Sequence, residues 1–323
     1  PVPRFPWASP VTSTRSRQRS MCPKIPPFPP REFATIDEIL AGGAPGHTLD
    51  DSVTERGILL PGEPAENPGK VYIVGGGPGA ADLLTLRAAR ALSEADVVLL
   101  DHLAPQEYGE YAPNALIVDV GKVPGKHAVP QSRIQQLMID YALSGKTVVR
   151  LKGGDPYVYG RGAEELDACI AAGLEAEVIP GITSAIAVPA RAAIPVTLRK
   201  VSSIFTVISG HSGLSETEVS AVEATLRAQG TVVLLMGVRT LPDTVASLLS
   251  RGIEADTPLA TIENGFSEKE RVTVTTLENA QADCASVRAP AITVIGEVVH
   301  YARDNQNRFV SEVHERLRER STS

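Results

Sequence analysis

The pattern of apolar and polar positions changes abruptly at Lys70. Before it, residues 1–66 mix Pro, Gly and charge without a sustained period, which predicts a disordered or weakly ordered extension. After it, short apolar runs alternate with helical patterns. Val71-Tyr72-Ile73-Val74 reads as a strand ending in Gly75-Gly76-Gly77-Pro78-Gly79. Asp82 is placed to cap a helix carrying Leu83, Leu86, Ala89 and Leu92. Val97–Leu100, Leu116–Val118, Thr147–Val149 and Ala176–Ile179 supply further strands. In 131–144, Ile134, Leu137, Met138 and Tyr141 share one helical face, and Gly145 is a natural stop. Alternating strand and helix predicts a parallel sheet with helical crossovers. Ligands of such sheets bind at the carboxyl ends of the strands. The Gly-rich turn, Asp101 and Gly153-Gly154-Asp155 all follow predicted strands and should gather on one edge.

A second set of elements begins at Ile204–Ile208. Ser215 and Glu218 have the spacing of a capping box, ahead of a helix carrying Val219, Val222 and Leu226. Thr231–Leu235, Leu259–Ile262, Val272–Thr276 and Ala291–Ile295 read as strands. The last three leave room for at most one short helix, so part of this sheet should be antiparallel. The boundary between the sets is expected near 181–200, giving domains over 67–185 and 186–303, with a charged tail at 304–323.

At 323 residues, 43% hydrophobic and 21% charged, the chain has the size and composition for two α/β domains. Aromatics are only 4%, so Val, Leu, Ile and Ala must build the cores. A net charge of -7 argues against a nucleic-acid-coating protein. Cys22, Cys169 and Cys284 lie far apart without Cys or His partners, suggesting neither disulfides nor a zinc site, and a reducing, cytoplasmic setting fits. His102, His211 and His300 show no metal-like pairing. No stretch reaches the ~18 apolar residues needed to span a bilayer. The first 31 residues carry several arginines and no acid, like an organelle transit peptide, but their prolines oppose an amphipathic helix, and Met21 is a candidate start.

Gly75, Gly77 and Ala80 satisfy G-x-G-x-x-A, and Asp101 ends the next strand, as in a dinucleotide-binding fingerprint. Pro78, however, offers no N–H where phosphate would be cradled. A ligand without phosphates, such as S-adenosylmethionine, would not need one. On these residues alone, an NAD-dependent oxidoreductase and a methyltransferase both remain open.

An ordered set of motifs separates them. It runs through Val74-Gly75-Gly76-Gly77-Pro78-Gly79, Val97-Val98-Leu99-Leu100-Asp101, Val120-Gly121-Lys122 and His127-Ala128-Val129-Pro130-Gln131. It continues with Arg150-Leu151-Lys152-Gly153-Gly154-Asp155-Pro156, Gly160-Arg161-Gly162-Ala163-Glu164-Glu165, Pro180-Gly181-Ile182-Thr183-Ser184, Met236-Gly237 and Glu263-Asn264-Gly265. From about 69 to 302 the chain resembles the tetrapyrrole methylase family, most of all its uroporphyrinogen-methylating branch. One departure is Thr197-Leu198-Arg199, where the family commonly has Thr-His-Arg. Residues 1–66 are short for the dehydrogenase/ferrochelatase module fused to some relatives, so a single activity is expected.

The resemblance implies a two-domain fold, with a parallel N-terminal sheet, a mixed C-terminal sheet and the active site in the cleft between them. It implies C-methylation of uroporphyrinogen III by S-adenosylmethionine, twice, giving precorrin-2, by a homodimer with no metal. By match to family positions, Pro78, Gly153, Gly154, Asp155, Val158, Thr183, Ser184, Met236 and Gly265 line the donor site. Asp101 is the implied base and Lys122 the implied acid. Arg161, Lys152, Lys126, His127, Arg150 and Arg199 are candidates for the substrate's carboxylates, Arg161 foremost because it lies in the most branch-specific motif. A non-catalytic tetrapyrrole binder would have no need of Asp101 and Lys122.

Overall fold

The computed structural model describes residues 34–35 and 64–302, apart from 102, 105 and 122–128. Among them, six strands form one sheet: β1 (Ala34–Thr35), β2 (Lys70–Gly75), β3 (Val97–Leu100), β4 (Leu116–Asp119), β5 (Val148–Lys152) and β6 (Glu175–Ile179). Their order is β1-β4-β3-β5-β2-β6 and every pairing is parallel. The central strand β3, Val97-Val98-Leu99-Leu100, is a continuous apolar run because both faces are covered. Helix α1 (Leu86–Ser93) packs Ala88, Ala91 and Leu92 against Val74, Val98, Leu100, Val149 and Leu151. On the other face, α2 (Gln131–Leu143) and α3 (Gly162–Ala171) bring Ile134, Leu137, Met138, Tyr141 and Cys169 onto Val71, Ile73, Val97, Leu99 and Val148. Neighbouring strand residues thus serve opposite layers, as the period-two pleat requires. Helix α2 ends one residue before Ser144, and Gly145 takes φ +83.

Three details differ from the pattern-based reading. Asp82 caps no helix: Ala81–Leu83 is a single 3-10 turn, and α1 starts only after Thr85, whose hydroxyl accepts from Ala88 N at 3.1 Å. Leu84 and Thr85 are extended, so the first helical turn cannot form earlier. Strand β5 runs on through Arg150 and Lys152, whose charges are 2% and 4% exposed, because carboxylates meet them inside. Finally, Ala34–Thr35, within the stretch expected to be disordered or weakly ordered, pairs along β4.

The second sheet holds β7 (Phe205–Ser209), β8 (Thr231–Leu235), β9 (Pro258–Glu263), β10 (Arg271–Thr276) and β11 (Ala291–Ile295), ordered β10-β9-β11-β8-β7. Only β7 and β8 are parallel, and the other pairings are antiparallel. Between β10 and β11 there is room only for the four-residue helix α7 (Ala280–Asp283), in line with the tight spacing. To reach it in chain order, α4 (Ser184–Arg191) comes first and buries Ala185 and Val188 against Val233, Ala260, Ile262 and Val294. The opposite face is covered by α5 (Glu216–Arg227) and α6 (Leu241–Ser250), through Val219, Val222, Leu241, Val245 and Leu248. The capping box forms at α5: Glu218 Oε2 accepts from Ser215 N at 2.8 Å, and Ser215 Oγ accepts from Glu218 N at 3.4 Å. No helix among the described residues is long and apolar enough to cross a membrane.

Candidate active site

The carboxyl ends of strands from both sheets meet at one open cavity of about 2570 Å³. That is well above the ~300–1,000 Å³ of an ordinary small-ligand pocket, so two reactants can share it.

Its floor is built from turns that only glycine can bring together. After β2, Gly77 takes φ +78 and exchanges two backbone hydrogen bonds with Gly154, itself at φ +66 after β5. Gly154 N donates to Gly77 O at 2.7 Å, and Gly77 N returns to Gly154 O at 3.2 Å. Behind them, a Cβ on Gly181 would lie 2.2 Å from Gly154 O. Asp155 ties the same turns: Oδ1 accepts from Tyr157 N at 2.8 Å and Oδ2 from Gly181 N at 3.1 Å. Its carboxylate, expected to face the donor's ribose or ammonium, therefore already organises the backbone around it.

Side chains and strained backbone make the walls. Met236, at the end of β8, holds φ +55 and stays half exposed. Asn264 and Phe266, beyond β9, take φ +48 and +67 on either side of Gly265. Tyr159 and Arg161 are left-handed too, and all five line the cavity. Such conformations cost free energy and gather where a ligand site over-determines the backbone. Gly265 is needed because a Cβ there would come within 2.9 Å of the Val188 methyls.

The turn after β2 does not make a dinucleotide site. It leads through the 3-10 turn and an extended pair before α1 begins at Leu86, so the α-helix does not start directly after the glycines as a phosphate-cradling turn requires. Glycine backbone, the apolar Val158, Met236 and Phe266, and the carboxylate of Asp101 suit an adenosyl sulfonium instead.

Asp101 follows β3, with its backbone N–H donating to Leu151 O at 2.9 Å. Its carboxylate is 34% exposed, and Oδ2 accepts from Arg150 Nη2 at 3.0 Å. Four of the five N–H donors of Arg150 point to partners inside the protein: Asp101, Glu165, Leu99 O and Leu151 O. Arg150, expected among the ligands for substrate carboxylates, thus lines the cavity with its guanidinium held by protein partners. Lys152 Nζ is 3.0 Å from Glu165. Burial, and then the charge of Arg150, hold its ammonium below the usual lysine range. The exposed Arg161 guanidinium forks onto Glu164 at 2.9 and 2.7 Å.

Every residue expected at the donor site lines this cavity: Pro78, Gly153, Gly154, Asp155, Val158, Thr183, Ser184, Met236 and Gly265. Asp101, Arg161 and Lys152 join them. Arg199 does not: it is exposed in the turn closed by Leu198 and Ser202. Lys122, Lys126 and His127 lie outside the described residues.

Residues 70–281 match the tetrapyrrole (corrin/porphyrin) methylases as a family. The chain belongs to that family. It is 48% identical over 238 residues to an S-adenosyl-L-methionine-dependent uroporphyrinogen III methyltransferase of Methanosarcina barkeri, covering 72% of this chain and 93% of the relative. With the uroporphyrinogen-III C-methyltransferase of Methanocaldococcus jannaschii it shares 44% identity over 236 residues, 72% of this chain and 97% of the relative. A crystal structure of uroporphyrin-III C-methyltransferase from Thermus thermophilus, complexed with S-adenosylhomocysteine, superposes with a TM-score of 0.61 at 36% identity, covering 72% of this chain and 99% of that one.

In this family member the residues that sequence reasoning missed are mostly those whose role depends on partners distant in sequence. Glu165 sits in a quoted motif, yet nothing local says that Arg150, Lys152 and Gln131 all reach it. Tyr157, Tyr159 and Phe266 line the cavity without a signal beyond being aromatics in glycine-containing turns. No group of three or more His, Cys, Asp or Glu among the described residues could hold a metal ion.

Proposed function

We propose that this chain is an S-adenosylmethionine-dependent C-methyltransferase that converts uroporphyrinogen III to precorrin-2 by two methylations, at C2 and C7. The reading is carried by one observation: the whole expected donor set lines a single cavity together with Asp101 and Arg161. The chain's family membership and the printed activities of its relatives support it.

In each round, a pyrrole carbon attacks the sulfonium methyl, the new C–C bond forms as the C–S bond breaks, and S-adenosylhomocysteine leaves. The leaving group is already good, so the protein supplies alignment and proton handling. Asp101, oriented by Arg150, is the proposed acceptor for the proton lost from the ring system. Lys122 is the proposed acid. Arg161 is exposed at the cavity and can exchange its Glu164 partner for a substrate carboxylate in the same bidentate geometry. Lys126 and His127 complete the proposed cationic set, with Lys152 contributing from beside Glu165.

Incubating the full chain with uroporphyrinogen III and methyl-labelled S-adenosylmethionine tests this directly. The expected product carries two labelled methyl groups by mass. A tetrapyrrole that acquires no label, or a protein whose melting temperature rises with NAD and not with S-adenosylhomocysteine, would overturn the reading.

A further inference from the structure

Behind the cavity wall lies a chain of buried charge whose innermost carboxylate, Glu165, has no part in methyl transfer as described above. Arg150, Lys152 and Gln131 line the cavity, whereas Glu165, in the first turn of α3, is wholly buried behind them. A single oxygen, Glu165 Oε1, accepts from Arg150 Nε at 3.2 Å, Lys152 Nζ at 3.0 Å and Gln131 Nε2 at 3.0 Å. Arg150 carries the connection onward, with Nη2 donating to Asp101 Oδ2 at 3.0 Å. The planar guanidinium thus bridges two carboxylates, a geometry that a lysine ammonium cannot reproduce.

The other oxygen, Glu165 Oε2, is buried with no hydrogen-bond partner among the described residues. A buried carboxylate with one oxygen unmet is a poor choice for packing alone, since a well-packed apolar side chain avoids the desolvation.

We infer that Glu165 is a positioning residue for methyl transfer: it anchors Arg150 so that the guanidinium orients the Asp101 carboxylate, and it holds the Lys152 ammonium at the cavity wall. The inference rests on the proposed methyl transfer. The charged and titratable groups facing Glu165 are Arg150 and Lys152 from β5, Asp101 through Arg150, and Arg161 and Cys169 from α3 and its cap. Helix α2 faces it with the neutral Gln131. Removing the Glu165 charge leaves the Arg150 and Lys152 cations together without their shared counter-ion. Lys152 then loses its proton at lower pH, so the basic limb of the rate profile moves down.

Glu165→Gln keeps the shape and one acceptor while removing the charge. We expect kcat to fall about tenfold or more, with KM for S-adenosylmethionine and affinity for S-adenosylhomocysteine within about twofold, and the basic limb to move down by about one pH unit. Arg150→Lys keeps a cation but loses the bridge, and should show the same split between kcat and donor affinity. If Glu165→Gln does not fold, Arg150→Lys carries the test through that split. A folded variant that turns over at the wild-type rate with an unmoved pH profile overturns the inference. So does a loss of donor affinity in step with kcat, which marks a merely structural role. A wild-type protein that transfers no methyl group overturns the proposed function, and this inference with it.

Discussion

At the residue scale the site divides into groups that react and groups that hold the backbone. Asp101 is the test case for the first. Asp101→Asn is nearly isosteric and keeps an acceptor for Arg150, so the fold should persist while methyl transfer falls about a hundredfold or more. Affinity for S-adenosylhomocysteine should hardly change, because the glycine turns and Met236 are untouched. Single-turnover methylation, donor affinity and melting temperature on one preparation check this, and a wild-type rate removes Asp101 from the chemistry. Gly181 is the test case for the second group. A methyl there would sit 2.2 Å from Gly154 O, so Gly181→Ala must push apart the turns after β5 and β6. Overpacking of this kind costs about 1–3 kcal/mol, and here the displaced turns belong to the proposed donor site. Urea unfolding should show the loss, and titration with S-adenosylhomocysteine should show weaker binding in the fraction that folds.

At the element scale, periodicity located strands β2 to β11 and helices α1, α2 and α5, and each error has an identifiable cause. The start of α1 was misplaced because Asp82 and Thr85 are both good capping residues, and only the extended Leu84–Thr85 backbone selects the second. Strand β5 was cut short because Arg150 and Lys152 read as polar. Their burial depends on Asp101 and Glu165, which lie 49 and 13 residues away in the chain. The capping box of α5 was legible because both partners lie within one turn. It also offers a clean separation of stability from function, since no residue of α5 lines the cavity. Ser215→Ala should therefore lose about 1 kcal/mol in urea unfolding with no change in methylation rate. A fall in rate without a fall in stability would tie α5 to the site.

At the scale of the whole molecule, the described residues bury two sheets with separate cores, and the site draws on both. Among the described residues of the N-terminal stretch 1–65, β1 pairs along β4 and Ala65 N donates to Leu143 O at 2.8 Å. A chain beginning at Glu66 is expected to fold and to methylate at the full-length rate, because β4 keeps its pairing with β3. Circular dichroism and turnover of the shortened protein check this, and insolubility or lost activity would place the segment in the fold or the site. The family resemblance implies a two-fold dimer. Light scattering at micromolar concentration should report twice the chain mass, and a monomer alone would refute it.

What the sequence determined by itself was whatever acts over a few residues: the alternation of strands and helices, the capping box, the turn glycines, and the ordered motifs that point to the family. Those signals need no knowledge of distant partners, because propensity, period and backbone freedom are local properties. The tertiary structure decided which charges are available for chemistry. Arg150 and Lys152 look alike in sequence to Arg161, yet the first two are buried against carboxylates and the third stands open at the cavity. It also placed Arg199 outside the cavity and Glu165 behind its wall. The reason is physical: the worth of a charge depends on its desolvation and its partners, and both are set by segments that meet only when the chain is folded.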